Sequence, residues 1–160
     1  MITKPKVRIA IFDLDGTICD DGHRKVLAER KLWDEYHAAC SDDLPREAEM
    51  FLLKATAAQG VTCIAITGRT EPYRTQTMAW LQRHGLSPMV LKWLFMRGAT
   101  DRRPATTVKL DILGQIVAMY EEAGKEVEVL FVVEDDARLV NMWRGMGFTC
   151  FQCQEDVRRG

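Results

Sequence analysis

Five short apolar runs punctuate the chain, at Val7–Phe12, Val61–Ile66, Met89–Phe95, Val127–Val133 and Thr149–Cys153. Each has the length of a strand. Between them lie mixed stretches of helical length: Arg46–Gln59, Tyr73–His84, Val108–Ala123 and Ala137–Met146. In the third of these, Val108, Ile112, Ile116 and Met119 fall on one stripe, as a helix lying on a sheet requires. Gly85, Gly124 and Gly147 stand where three of the stretches should stop. Alternating strand-like and helix-like segments predict an α/β fold with a parallel sheet and crossover helices. Residues Ile18 to Leu44 break the alternation and predict a small flap with a helical excursion, fastened to the body by Leu32, Trp33 and Tyr36. No repeat or linker interrupts the chain, so a single domain over residues 1–160 is expected.

Composition narrows the picture. A chain of 160 residues that is 47% hydrophobic is long enough for one domain with a real core. A net charge of −1 excludes a strongly basic protein that coats nucleic acid, so any polyanion must be met by a local patch. Lys92, Arg97, Arg102 and Arg103, against the single Asp101, supply such a patch. No apolar run approaches the roughly 20 residues of a membrane span, and the N-terminal stretch reaches acids too early for a signal peptide. A cytoplasmic protein is expected. The five cysteines are an odd set without framework spacing, which predicts free thiols, with Cys150 and Cys153 as buried strand thiols.

In an open parallel sheet, ligands bind beyond the carboxyl ends of the strands. Those ends read "FDLDGT", "ITGR" and "VVEDD", and the helix after the third run opens "TTVKLD". Together they gather Asp13, Asp15, Thr67, Gly68, Arg69, Lys109, Glu134 and Asp135. Asp13 and Asp15 start on the same side of an extended chain, and two like charges that close call for a shared cation or proton. Asp13 and Asp135 can share Mg2+, which takes oxygen ligands. Asp13 is then free to attack phosphorus while Asp15 carries a proton. Thr67 and Lys109 are placed to hold the oxygens of a transferring phosphoryl group. Arg69 and Arg74 either hold phosphate or solvate a helix start; His23 and Arg24 either lie over the site or form a surface hairpin. His37 reads as a polar residue on a partly exposed helix.

These four motifs, in this order, resemble the haloacid dehalogenase superfamily of phosphohydrolases. The stretches "FDLDGTICDDGHR", "TTVKLDIL" and "LVNMWRGMGFTCFQC" are more closely similar to the phosphatase domain of T-even phage polynucleotide kinases and to stand-alone phage phosphatases. No P-loop motif accompanies them. The resemblance implies a three-layer, Rossmann-like α/β fold with a five-stranded parallel sheet and a minimal cap. It implies an aspartyl-phosphate on Asp13, Asp15 as general acid and then base, and Mg2+ held by Asp13, the Asp15 backbone carbonyl and Asp135. Where relatives carry Asp-Asp-Arg, this chain has Glu134, Asp135 and Asp136, so the first acid is longer and an arginine has become an acid.

The short intervals from Asp15 to Thr67 and from Thr67 to Lys109 leave no room for a large cap. An uncapped site admits a polymer end, and the resemblance implies removal of 3′-phosphates from polynucleotides, with Gly68, Arg69, Arg24, Arg97, Arg102 and Arg103 expected on the substrate and Glu134 as a further candidate metal ligand. The alternative is a 5′-nucleotidase acting on nucleoside monophosphates. A signalling receiver domain also combines acids, Thr, Lys and Mg2+, but its phospho-acceptor ends the third strand, and here "MVLKWLFM" ends without an aspartate. Homo-oligomerisation is left open.

Overall fold

In strand β1 (Lys6–Phe12), alternate side chains enter two different cores: Ile9 and Ile11 one, Ala10 and Phe12 the other. That is the signature of a central strand covered on both faces, and it explains why the run reads as continuously apolar. The computed structural model describes residues 3–153. After β1 come a two-residue strand β2 (Cys19–Asp20), short helices α1 (Lys25–Glu29) and α2 (Trp33–Ala38), and β3 (Leu44–Pro45). The regular part follows as α3 (Glu47–Ala58), β4 (Thr62–Thr70), α4 (Arg74–Arg83), β5 (Trp93–Arg97), α5 (Ala105–Glu122), β6 (Glu126–Glu134), α6 (Ala137–Gly145) and β7 (Cys150–Gln152).

The main sheet has the order β5-β4-β1-β6-β7, and every pairing in it is parallel. Helices α3 and α4 cover one face through Met50, Leu53, Trp80 and Leu81. Helices α5 and α6 cover the other through Val108, Ile112, Ile116, Leu139 and Trp143. The result is the three-layer α/β fold expected from the sequence. β2 and β3 pair antiparallel as a separate two-stranded sheet, which carries α1 and α2 on the connection between its strands. All five cysteines are buried and free. Among the described residues no helix is long and apolar enough to cross a membrane.

Two elements depart from expectation. The third apolar run begins pairing only at Trp93, because Val90 and Leu91 donate back to the Ser87 carbonyl in a turn after Ser87-Pro88, leaving Met89 exposed. Helix α5 begins three residues early, directly after Pro104, whose fixed φ suits a helix entry. Lys109 therefore lies just past the first turn, directed at the strand ends.

Candidate active site

The chain leaves β1 as Asp-Leu-Asp-Gly-Thr and folds tightly, with the amides of Thr17, Ile18 and Cys19 all donating to the Leu14 carbonyl. Leu14 is buried, and the two acids on either side of it look outward in different directions. Asp13 faces Lys109, whose ammonium lies 2.8 Å from Oδ1 and 2.7 Å from Glu134 Oε2. Glu134 Oε1 accepts from the Asp135 amide at 3.1 Å, so both oxygens of this lengthened acid are engaged. Thr17 places its hydroxyl 3.5 Å from Asp13 Oδ2 and 3.4 Å from Asp135 Oδ1. Gly16, at φ +78°, lets Asp135 come in: a Cβ there would sit 2.1 Å from its Oδ2.

One carboxylate oxygen each from Asp13, Glu134 and Asp135 lies within 4.8 Å of the others. Burial and the charge of Glu134 push Asp13 well above the usual carboxylate range, against the pull of Lys109. Burial and Glu134 likewise push Asp135 up to about 7. A divalent cation there would favour the charged carboxylates against that push, and an all-oxygen donor set suits a hard ion. With Glu134 occupied by Lys109, the acids with an oxygen to spare are Asp13 and Asp135. The residues present fit a bound metal.

Asp15 lies in a different electrostatic setting. Its Oδ1 accepts from Arg24 Nη2 and, at 2.6 Å, from Arg69 Nη2, with Arg69 Nε at 3.0 Å. Burial alone would raise its pKa, but the two guanidiniums overcome that and hold it well below the usual range. The charge of the acid pair is therefore answered separately: arginines meet Asp15, and Lys109 meets Asp13. This differs from the sequence expectation of one shared cation, because Leu14 turns the loop and parts the two carboxylates.

Arg24 and Arg69, expected on the substrate, are fully buried and do not line the cleft. Both grip Asp43 as well, Arg24 through Nε at 2.7 Å and Nη2 at 2.6 Å, and Arg69 through Nη2 at 3.0 Å. His23 adds a contact of 2.8 Å to the same carboxylate. Asp43 was not singled out in the sequence; nothing in its local pattern separates it from Asp42, and only the fold brings it to the arginines. Thr67 is also fully buried, its hydroxyl accepting from the Arg69 amide at 3.1 Å, and at this strand end Gly68 and Thr70 line the cleft instead. Asp136 caps α6 by accepting from the Arg138 amide at 2.8 Å.

Above these groups opens a cleft of about 890 Å3, lined by Asp13, Asp15, Lys109 and Asp135 together with side chains of α2 and of the loop after β5. In that loop Arg97 donates to the carbonyls of Asp101 and Arg103, and Arg103 pairs with Asp101 and Asp111. Arg102 is exposed. Arg74 pairs with Glu71 at 2.8 Å and does not line the cleft. His37 is buried rather than partly exposed, and burial lowers its pKa to about 4.

Solved structures share this architecture. A chain of the Pnkp1/Rnl/Hen1 complex is 26% identical with a TM-score of 0.72, over 94% of this chain and 46% of that one. A chain of the Pnkp1/Rnl/Hen1 RNA repair complex is 27% identical with a TM-score of 0.71, over 94% and 42%. This chain thus spans less than half the length of either. The fold alone is shared with the class C acid phosphatase of Bacillus anthracis bound to tungstate (14% identity, TM-score 0.57, 84% and 53% covered) and with a β-phosphoglucomutase homologue of Thermotoga maritima (14%, 0.60, 96% and 88%). The family model described as the polynucleotide kinase PNKP phosphatase domain matches residues 7–157. With that match over nearly the whole described chain, the chain belongs to the polynucleotide kinase PNKP phosphatase domain family.

Proposed function

We propose that this chain is a Mg2+-dependent phosphomonoesterase that removes 3′-phosphates from polynucleotide ends through an aspartyl-phosphate on Asp13. One observation carries the reading: the Asp13 carboxylate lines an open cleft with Lys109 2.8 Å from its Oδ1 and with carboxylate oxygens of Asp13 and Asp135 within 4.8 Å of one another. Asp13 and Asp135, with the Asp15 backbone carbonyl that the family resemblance adds, are the groups that would hold the ion. Once bound, Mg2+ supplies Lewis-acid stabilisation of phosphoryl oxygens and cancels the repulsion among the acids.

Lys109 favours the ionised form of Asp13 against burial and aligns its carboxylate, and Glu134 keeps Lys109 from swinging away. An Asp13 oxygen bonds to phosphorus as the P–O bond to the 3′ carbon's oxygen breaks, and the departing alkoxide takes a proton from Asp15. Asp15 rests ionised between two arginines, so that proton arrives with the substrate: a phosphate monoester, with a second pKa near 6, enters partly as its monoanion. In the second half Asp15 takes a proton from water as the water oxygen attacks phosphorus and the bond from phosphorus to Asp13 breaks; inorganic phosphate leaves with that proton, and both Asp13 and Asp15 return to carboxylates. Arg24 and Arg69 orient Asp15 for both transfers.

The runner-up, a 5′-nucleotidase, gains support from Arg97 and Arg103 being turned onto their own loop, which leaves less positive charge for a polymer backbone. Phosphate release from 3′-phosphorylated oligonucleotides, 5′-phosphorylated ends and free nucleoside monophosphates, with and without chelator, separates the two. The 3′-phosphorylated end should be the best substrate by kcat/KM, with activity lost on chelation. Better use of free 5′-monophosphates rejects the polynucleotide reading. Asp13→Asn should abolish turnover of every substrate; activity within about tenfold of the parent, only ~1.4 kcal/mol of barrier, rejects the covalent route.

A further inference from the structure

The cleft is larger than a phosphate needs, and one part of its lining has no task in the chemistry above. At about 890 Å3 it has the size of a site for a drug-sized ligand. Trp33 and His37 on α2, and Tyr73 just before α4, all line it. Their rings run on from one another: Trp33 and His37 are stacked with centroids 6.5 Å apart and planes at 29°, and His37 and Tyr73 are 5.5 Å apart at 40°.

The sequence suggested that aromatic residues of this segment fasten it to the body. Tyr36 does so, with its hydroxyl 2.6 Å from Asp21 Oδ2 and its ring 4.1 Å from the Arg24 guanidinium. Trp33 does not: its residue surface is 51% exposed, at the mouth of the site that holds the catalytic acids. His37, 7% exposed, has no hydrogen-bond partner at its buried Nδ1. Burial keeps that ring neutral at pH 7, so it extends an apolar surface instead of adding charge. A neutral aromatic surface beside a phosphoryl-transfer centre is matched by a ligand that carries a flat ring next to its phosphate.

We propose that Trp33, His37 and Tyr73 form a stacking platform for the base of the phosphate-bearing nucleotide. The proposal rests on the reading of the chain as an enzyme of polynucleotide ends and adds a contact on the base to that on the phosphate. Stacking accepts any base, since each has a π-face, so the platform favours nucleotides over other phosphate esters without reading sequence.

The test compares two 3′-phosphorylated oligonucleotides that differ only in whether the terminal nucleotide carries a base or an abasic tetrahydrofuran, with glycerol phosphate as a third substrate. The parent should favour the base-bearing end by about 5- to 100-fold in kcat/KM, mainly through KM. In Trp33→Ala and in Tyr73→Ala that ratio should fall towards one, and Trp33→Phe should restore most of it. A parent ratio near one, or a ratio that the alanine variants leave intact because both ends lose equally, overturns the platform. The two readings fail differently. Equal hydrolysis of both ends rejects the platform alone, whereas turnover of glycerol phosphate with neither oligonucleotide cleaved rejects the polynucleotide reading and the platform with it.

Discussion

Asp43 holds the Asp15 side of the site together. Its side chain is fully buried and accepts from Arg24, Arg69 and His23, while its backbone carbonyl takes the Trp80 indole N–H at 2.8 Å. Two guanidiniums therefore sit between two carboxylates, and Asp15 is fixed because its arginines are fixed from behind. Asp43→Asn removes one of those two charges and leaves the arginines with Asp15 alone. Breaking a buried charge network of this kind costs on the order of 3 kcal/mol, so the denaturation midpoint should drop while the fold survives. Proton transfer through a mispositioned Asp15 should suffer more, within the roughly 10²- to 10⁴-fold that such catalysis supplies. Steady-state kinetics on paired esters checks this: kcat should fall more for an alkyl phosphate than for an aryl phosphate, whose leaving group needs no proton. Equal losses on both would mean that Asp43 does not act through Asp15.

Helix α2 is only six residues long, too short to be stable by itself, so its packing decides its conformation. His37 is the buried polar residue in that packing, set among Trp33, Tyr36 and Tyr73. Burial lowers its pKa from 6.5 to about 4; Asp15 and Asp34 oppose the shift, and Arg24 and Arg69 reinforce it. Between those two values the unfolded chain binds a proton that the folded chain does not, so stability rises with pH across this window and is lost as pH falls through it. The full span is worth on the order of 3 kcal/mol. Urea denaturation of the parent and of His37→Gln at pH 7 and pH 4.5 should therefore show the parent losing more stability than the variant. Equal losses would place the acid sensitivity elsewhere.

On the scale of the whole molecule, four carboxylates converge where β1 and β6 end side by side in the sheet centre, and Lys109 enters from α5 on one face. Filling the gap between Asp13 and Asp135 with a cation should stabilise the entire fold, because an ion bound only to the native state adds RT ln(1 + [L]/Kd). At about 100 times Kd that is roughly 2.7 kcal/mol, enough to raise Tm by several degrees. Thermal unfolding against Mg2+ concentration should give a saturable rise in the parent and little or none in Asp135→Asn. A rise of the same size in the variant would move the ion away from Asp135.

The sheet and the acids at its strand ends were legible in the sequence for physical reasons that do not depend on distant contacts. A strand buried on both faces must be apolar throughout, and a helix crossing it must carry a stripe, so "VRIAIF" and Val108–Ile116 declare themselves. Asp13, Lys109 and Asp135 stand at the ends of such elements, where an open parallel sheet places its ligands whatever else the chain does. The tertiary structure decided which charges meet. Arg24 and Arg69 read as phosphate donors because each is a cation near a strand end; their pairing with Asp43, 19 and 26 residues away, is set by the fold of a segment with no periodicity to read. The same holds for Trp33, His37 and Tyr73, which come from two separate elements and share one surface only after β2, β3 and α2 have folded over the sheet. Local pattern determines elements, and it determines sites built on element ends. Partners joined across irregular segments are chosen by packing, which no short stretch of sequence contains.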